Sequence, residues 1–336
     1  METKSKLDLY TKYVLIEPKR VSWNKLCDII KVDHKQINRF LCNFDNNPYN
    51  LFQEIRSFID LEWWTFSIDD QVEDKEFSKI SKSDLVGRFW SWRHHSVVVW
   101  INLITLYHTD YKWNKFAVNW RVVDKKEWKT KNDYFMEMFK ECITRWFKPS
   151  MITWDCWYSS EQNLNFITKQ WIWFLFGIKS NRLVKKNDSD KYSLISSHSI
   201  PKEWLIVFLK WVWYVVVFEK DGNYYAYRDN YKTNDSSDVL KSITRKDFEI
   251  EHAKHRDIEE YHRALKQLCN IDKHFLRKKT CILTHIYCSI RAYCILEINR
   301  ILWIIENIYD LARNNLKQYI SSHILTLRLD WLKLVF

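Results

Sequence analysis

The chain has 336 residues, 46% of them hydrophobic, enough to bury a sizeable core and to form two or three units at ~150 residues each. Lys and Arg number 53 against 42 Asp and Glu, and the net charge of +11 is spread along the chain, which points to a folded basic face and a polyanionic partner, nucleic acid before anionic membrane. Eight cysteines without a CxxC pair, no secretory pattern at the N-terminus, and apolar runs at 205–218 and 281–305 broken by Lys210 and by Arg291, Glu297 and Arg300 argue against a disulfide scaffold and a membrane span; a soluble, cytoplasmic protein with reduced thiols and no membrane partner is expected.

Residues 1–60 read as a separate helical unit. Two short amphipathic stretches, 24–30 and 34–41, flank Lys31-Val32-Asp33, with Asp33 as N-cap. They fit a DNA-binding helix-turn-helix presenting Lys35, Gln36, Asn38 and Arg39, and equally a small packing bundle. From 61 the pattern turns to strands: 63–69, ending in Asp69-Asp70, then 97–108 and 116–123 about a turn at 110–114. Residues 132–147 repeat apolar side chains at helical spacing, 151–154 form a short strand running into Asp155, 159–170 are helical, and 171–178 are strand. A β-rich, basic insertion follows at 181–244, with strands at 192–196, 205–218 and 224–227 and a hairpin turn at Asp221-Gly222-Asn223. Helix resumes near Lys246, an amphipathic region covers 281–314, and residues 311–336 make a basic helical tail.

Glycine averages about 7% of residues in ordinary proteins, yet this chain has three against 19 Trp. Trp113, Trp128 and Trp204 stand in turn contexts where a positive φ would favour glycine. Aromatics for stacking on bases are one account. We prefer another: UGA codons that the source reads as glycine stand here as tryptophan.

The segment 256–267 has neither Gly nor Pro and reads as helix. At 3.6 residues per turn, Glu259, His262, Arg263 and Lys266 share a face, while Glu260 falls about 100° round. Alone this is an ion-paired surface helix. Set beside acids that close two strands, it becomes the third wall of a carboxylate cage. Hard divalent cations take oxygen ligands, and a pair of them ~4 Å apart can activate a water or 3′-hydroxyl in phosphodiester displacement. The candidates in order are Asp69 or Asp70, Asp155 and Glu259. Side chains alternate along a strand, so one of the two neighbouring aspartates should face the metal; Asp69 is favoured.

Four stretches carry a resemblance: Ile68-Asp69-Asp70-Gln71-Val72-Glu73-Asp74-Lys75; Arg93-His94-His95-Ser96; Asp155-Cys156-Trp157-Tyr158-Ser159-Ser160 leading to Ile178-Lys179-Ser180-Asn181-Arg182; and residues 258–267. Together the chain resembles a DDE transposase of a bacterial insertion sequence. The resemblance implies a mixed α/β fold: a ribonuclease-H-like, retroviral-integrase-like catalytic core at 61–180 and 245–310, with the β-rich insertion at 181–244 between a helical N-terminal domain and a helical C-terminal region. It implies Asp69, Asp155 and Glu259 as ligands of Mg²⁺ or Mn²⁺, two ions, with Asp70 also in the catalytic set. In the family signature Y-x2-R-x3-E-x6-K, Glu259 and Lys266 match, but His252 and His255 replace the Tyr and Arg, and Arg256 next door could supply the guanidinium. Gln71 departs from the more usual Thr.

Lys179, Asn181 and Arg182, with Lys185 and Lys186, form a basic stretch after a strand, and with Arg256, Arg263 and Lys266 they are the candidate DNA contacts. His94-His95 lacks partners at zinc spacing, and Cys156 has no nucleophile motif around it. The activity implied is Mg²⁺-dependent cleavage of insertion-sequence ends and strand transfer into target DNA, on double-stranded terminal inverted repeats, by a homodimer at the nucleoid. The alternatives are a non-catalytic DNA-binding protein derived from a transposase and a nuclease of the same fold.

Overall fold

The computed structural model describes residues 2–17, 20–62, 64–74, 83–91, 95–228, 240 and 242–310. Four helices open the chain: α1 (Thr3–Ile16), α2 (Trp23–Ile30), α3 (His34–Asn43) and α4 (Pro48–Ile55). Asp33 caps α3, its carboxylate accepting from the Lys35 N–H at 2.8 Å, and Lys35, Gln36, Asn38 and Arg39 are exposed. Pro48 sits in the first turn of α4, where its missing N–H costs nothing.

The core elements are β1 (Thr65–Asp74), β2 (Gly87–Ser91), β3 (Ser96–Thr109), β4 (Lys115–Val122), α5 (Lys131–Thr144), β5 (Met151–Trp154), α6 (Glu161–Lys169) and β6 (Trp173–Ile178). β1 runs antiparallel to β3 and parallel to β5, and β5 runs parallel to β6. Thr130 and Asp133 form a capping box that starts α5. Strand β2 and the extension of β1 to Asp74 were not anticipated; the β1 continuation is polar, without apolar alternation, and only pairing with β3 holds it.

After β6 come β7 (Leu183–Lys185), β8 (Ser193–Leu194), β9 (Leu205–Leu209), β10 (Tyr214–Lys220) and β11 (Asn223–Arg228). Asp221 and Gly222 both have positive φ (53° and 76°), as a two-residue hairpin turn between β10 and β11 requires. The apolar run at 205–218 is not one strand: it folds back as β9 and β10 about a turn closed by the Val212 N–H on the Leu209 carbonyl. β11 pairs antiparallel with β6, so the insertion continues the core sheet, and the order among described residues is β2-β3-β1-β5-β6-β11-β10-β9-β7-β8 with β4 on β3.

Two 23-residue helices complete the fold, α7 (Arg245–Gln267) and α8 (Lys279–Ile301). α5 covers one sheet face, placing Phe135 and Phe139 against Trp154 and Phe66. α7 lies on the other, where Thr65 Oγ1 donates to Glu251, Ser67 Oγ to the Lys254 carbonyl, and Thr153 Oγ1 meets His255 Nδ1 at 3.3 Å. α8 is long and apolar enough by length and composition to cross a membrane, but it is buried nearly all round as a core helix.

The N-terminal helices do not stand apart as expected. Tyr10 bonds His285, the Thr284 hydroxyl donates to the Leu41 carbonyl, and Leu7, Tyr10, Leu41, Leu51 and Phe52 belong to the same apolar core as β1 and α8. Their partner lies some 240 positions later in the chain, beyond the reach of local periodicity.

Candidate active site

Alternation along β1 separates the two aspartates. Thr65, Ser67 and Asp69 point to α7; Phe66, Ile68 and Asp70 point to α5. Asp70 is fully engaged on the α5 side: it takes Lys131 Nζ at 2.7 Å, Asn102 Nδ2 at 2.6 Å and the Tyr158 hydroxyl at 3.2 Å. Asp69 has no such cation among the described residues. Its Oδ1 accepts the Asp70 N–H at 2.7 Å, and His262 Nδ1 stands 3.6 Å from Oδ2. Burial drives the His262 pKa down to about 3, with Lys266 and His255 adding to the fall, so this imidazole is neutral and does not compensate the carboxylate.

Ile68 pairs with Trp154 across the parallel β1–β5 ladder, so Asp69 and Asp155 follow side by side where the two strands leave register. Asp155 is held by the Trp157 N–H, which donates to Oδ1 at 2.8 Å. Gly177 on β6 permits this: a Cβ there would lie 3.1 Å from Cys156 N and 3.6 Å from the Asp155 carbonyl carbon. Burial raises the Asp155 pKa to about 6, with the Asp70 charge adding and the Trp157 N–H opposing. Asp69 is pushed well above the ordinary carboxylate range, first by burial, then by the charges of Asp70, Asp155 and Glu259. Those couplings place the four acids within one electrostatic neighbourhood.

Glu259 is exposed on α7, its charge felt at Asp69 and at Tyr225. Glu260 turns the other way, 3.9 Å from Lys115. Arg263 is exposed and its charge acts on Tyr309, while that of the half-buried Lys266 acts on His262. His255 is driven down to about 4 by burial and is bonded to Thr153; His252 packs on Tyr225 and Phe248. Both face the sheet, and Arg256, one position on from His255, is exposed.

Lys179 and Asn181 are exposed at the end of β6. Lys179 Nζ and Lys131 Nζ lie 5.1 and 5.6 Å from the Trp157 ring, beside Asp155. Arg182 stands in the loop just before β7, half-buried, with its guanidinium pKa lowered by burial and the charge of Glu161 opposing. Lys185 pairs with Asp188 at 2.9 Å. His94 lies outside the described residues, and His95 has φ 46°. Sequence reasoning assigned no role to Lys131, Asn102 or Tyr158, although Tyr158 stands three residues after Asp155 in a stretch it singled out; only the tertiary fold delivers them to Asp70.

Among the described residues, no three His, Cys, Asp or Glu side chains stand close enough to hold a metal ion by themselves, so the expected cage is not closed. Lys131 binds one acid, and the remaining like charges repel in a low-dielectric setting. The donor chemistry nevertheless fits a hard cation: Asp69, Asp155 and Glu259 offer carboxylate oxygens, and Asp69 has no counter-charge among the described residues. Both side-chain polar atoms of Gln71, on the Asp69 face, are buried without a described partner.

No protein-family model and no curated protein matches the sequence. Among solved structures, the chain is similar to a piggyBac transposase determined by cryo-EM as a synaptic complex with hairpin DNA, over 98% of this chain and 74% of that one, with a TM-score of 0.50 and 11% identity. The likeness shows the fold alone: mixed α/β with a ribonuclease-H-like core.

Proposed function

We propose that the chain is a DDE-type DNA transposase of a bacterial insertion sequence, cutting the ends of its element and joining them to target DNA with Mg²⁺ or Mn²⁺. The observation that carries this reading is Asp69: a half-buried carboxylate with no cation on it among the described residues, next to Asp155 where the β1–β5 pairing ends, and within the field of Glu259. Asp69, Asp155 and Glu259 would hold the ions, with substrate phosphate and water completing their shells. Bound there, a divalent cation supplies Lewis-acid stabilisation of the phosphoryl group and a more acidic nucleophile.

The protein's own part is positional. Tyr158, Asn102 and Lys131 fix Asp70, and that fixes the β1 backbone beneath Asp69. Lys179, Asn181, Arg256 and Lys266 would contact phosphates around the site, with Arg263 and Arg182 further out. The exposed residues of α3 and the +11 charge suit double-stranded DNA, and the similar transposase is itself in a synaptic complex with hairpin DNA; a homodimer would hold the two ends. Such a protein would act on DNA in the bacterial cytoplasm.

Purified protein with labelled inverted-repeat ends and Mg²⁺ tests the reading. Cutting with joining supports a transposase, cutting alone a nuclease, and binding alone a non-catalytic descendant.

The raised carboxyl pKa values carry a pH dependence. Between about pH 4 and pH 6 the folded chain holds a proton on Asp155 that the unfolded chain releases, so stability falls as pH rises through that window, and the raised Asp69 pKa acts in the same direction. Mg²⁺ needs the ionised forms. It should therefore raise Tm at pH 7.5 and leave it unchanged at pH 5; an equal rise at both would contradict the site. Gly177→Val should push the Asp155 turn outward and lower cleavage ~10²-fold through misplacement, with a Tm loss of only a few degrees; unchanged cleavage would show that the turn can move freely.

A further inference from the structure

Ten non-glycine residues with positive φ are found among the described residues, and six are tryptophan: Trp113, Trp128, Trp146, Trp171, Trp211 and Trp303. Left-handed backbone is uncommon for any side chain, tolerated best by Asn, Asp and His, and least by bulky ones. Asn270, Asp221 and His95 conform to that preference; the tryptophans do not.

Each of the six sits where a fold ordinarily needs glycine. After α5, the Trp146 N–H bonds the Ile143 carbonyl and the Phe147 N–H bonds the Cys142 carbonyl. After α8, the Trp303 N–H bonds the Arg300 carbonyl and the Ile304 N–H the Asn299 carbonyl. These are the paired bonds of a Schellman motif, with tryptophan at the position past the C-cap where glycine predominates. Trp171 holds the same position after α6, and Trp128 ends the 3₁₀ turn at Lys125–Glu127. Trp113 closes the β3–β4 hairpin at the left-handed residue following a tight turn, its N–H on the Asp110 carbonyl. Trp211 is central in the β9–β10 turn.

Their side chains do little there. Trp128, Trp303 and Trp146 are 94%, 91% and 79% exposed. The tryptophans of a second population, Trp64, Trp100, Trp120 and Trp154, are buried in the core at ordinary φ. Stacking on DNA does not account for the first set, because it tracks backbone conformation through four helix ends and two hairpins. Trp204, flagged in the sequence, is not among them: it has ordinary φ and packs against the apolar cluster that includes Val216 and Phe218.

We propose that positions 113, 128, 146, 171, 211 and 303 are glycine in the protein as its source makes it, encoded by UGA and decoded there by a glycine-charged tRNA, while the buried tryptophans are genuine and encoded by UGG. This stands apart from the catalytic reading.

The gene's codons test it directly. UGA at the six positions with UGG at Trp64, Trp100, Trp120 and Trp154 is the expected result. UGG at the six overturns the proposal, as does UGA in both sets, which would make UGA a tryptophan codon in the source. Stability gives a second measurement. The sixfold Trp→Gly variant should melt ~10 °C or more above the chain with tryptophan at all six, whereas Trp64→Gly with Trp154→Gly should lower Tm. A sixfold variant of equal or lower Tm would also overturn it.

Discussion

Asp155→Asn should lower Mg²⁺-dependent cleavage of labelled element ends by at least ~10³-fold while leaving the protein folded and more heat-stable at pH 7.5. The two effects have one origin. Burial holds the Asp155 carboxyl at about 6, so at neutral pH the folded chain bears the cost of ionising it. Asn keeps the oxygen that accepts the Trp157 N–H and removes the charge. Asp69→Asn should behave alike, since burial and three neighbouring acids raise its pKa. Glu259→Gln should lose cleavage with little change in Tm, because that side chain is exposed. Asp70→Asn is the contrast: it strands Lys131 and should lower Tm, with a smaller loss of cleavage. Full cleavage by the Asp155 or Glu259 variant would sink the assignment, and a Tm fall for Asp69→Asn would show that its charge is compensated after all.

The sequence made the acids legible because each belongs to a recognisable element: Asp69 closes the run 63–69, Asp155 follows an apolar four-residue strand, and Glu259 lies on a helix free of Gly and Pro. Their burial and ranking were not legible. That Asp70 is engaged and Asp69 is not depends on Lys131, Asn102 and Tyr158, which converge from α5, β3 and the turn after β5. Two further failures share a cause. A run of apolar residues such as 205–218 does not declare a turn when its left-handed position carries Trp211 in place of the expected glycine. The N-terminal helices read as independent because the partner of their apolar stripes, α8, is nearly uniformly apolar and has no face of its own to match.

That same helix supplies the second large effect. Arg291 on α8 lies largely buried, with Nε on Glu54 at 2.6 Å, Nη2 on Asp8 at 2.7 Å and Nη1 on the Thr11 hydroxyl at 3.2 Å, so one guanidinium ties α1 and α4 to the core. Removing one member of a buried ion pair typically costs about 3–5 kcal/mol because the other charge is left uncompensated. Here Asp8 and Glu54 are each about 40% exposed and can rehydrate, which reduces the expected cost of Arg291→Ala to about 2 kcal/mol. In a chain of this size that is a Tm fall of several degrees. Arg291→Met, which keeps the packing stem while removing the charge, should fall less. The loss should show first in α1 and α4, as faster amide exchange there than in β1 and β5. Equal exchange in both regions would mean that the N-terminal helices are held by apolar contacts alone. Since α3 belongs to the same packed group, its exposed Lys35 and Arg39 would shift relative to the carboxylates when the tie is cut. DNA-end binding should therefore weaken in Arg291→Ala although the residue is too deeply placed to reach DNA itself.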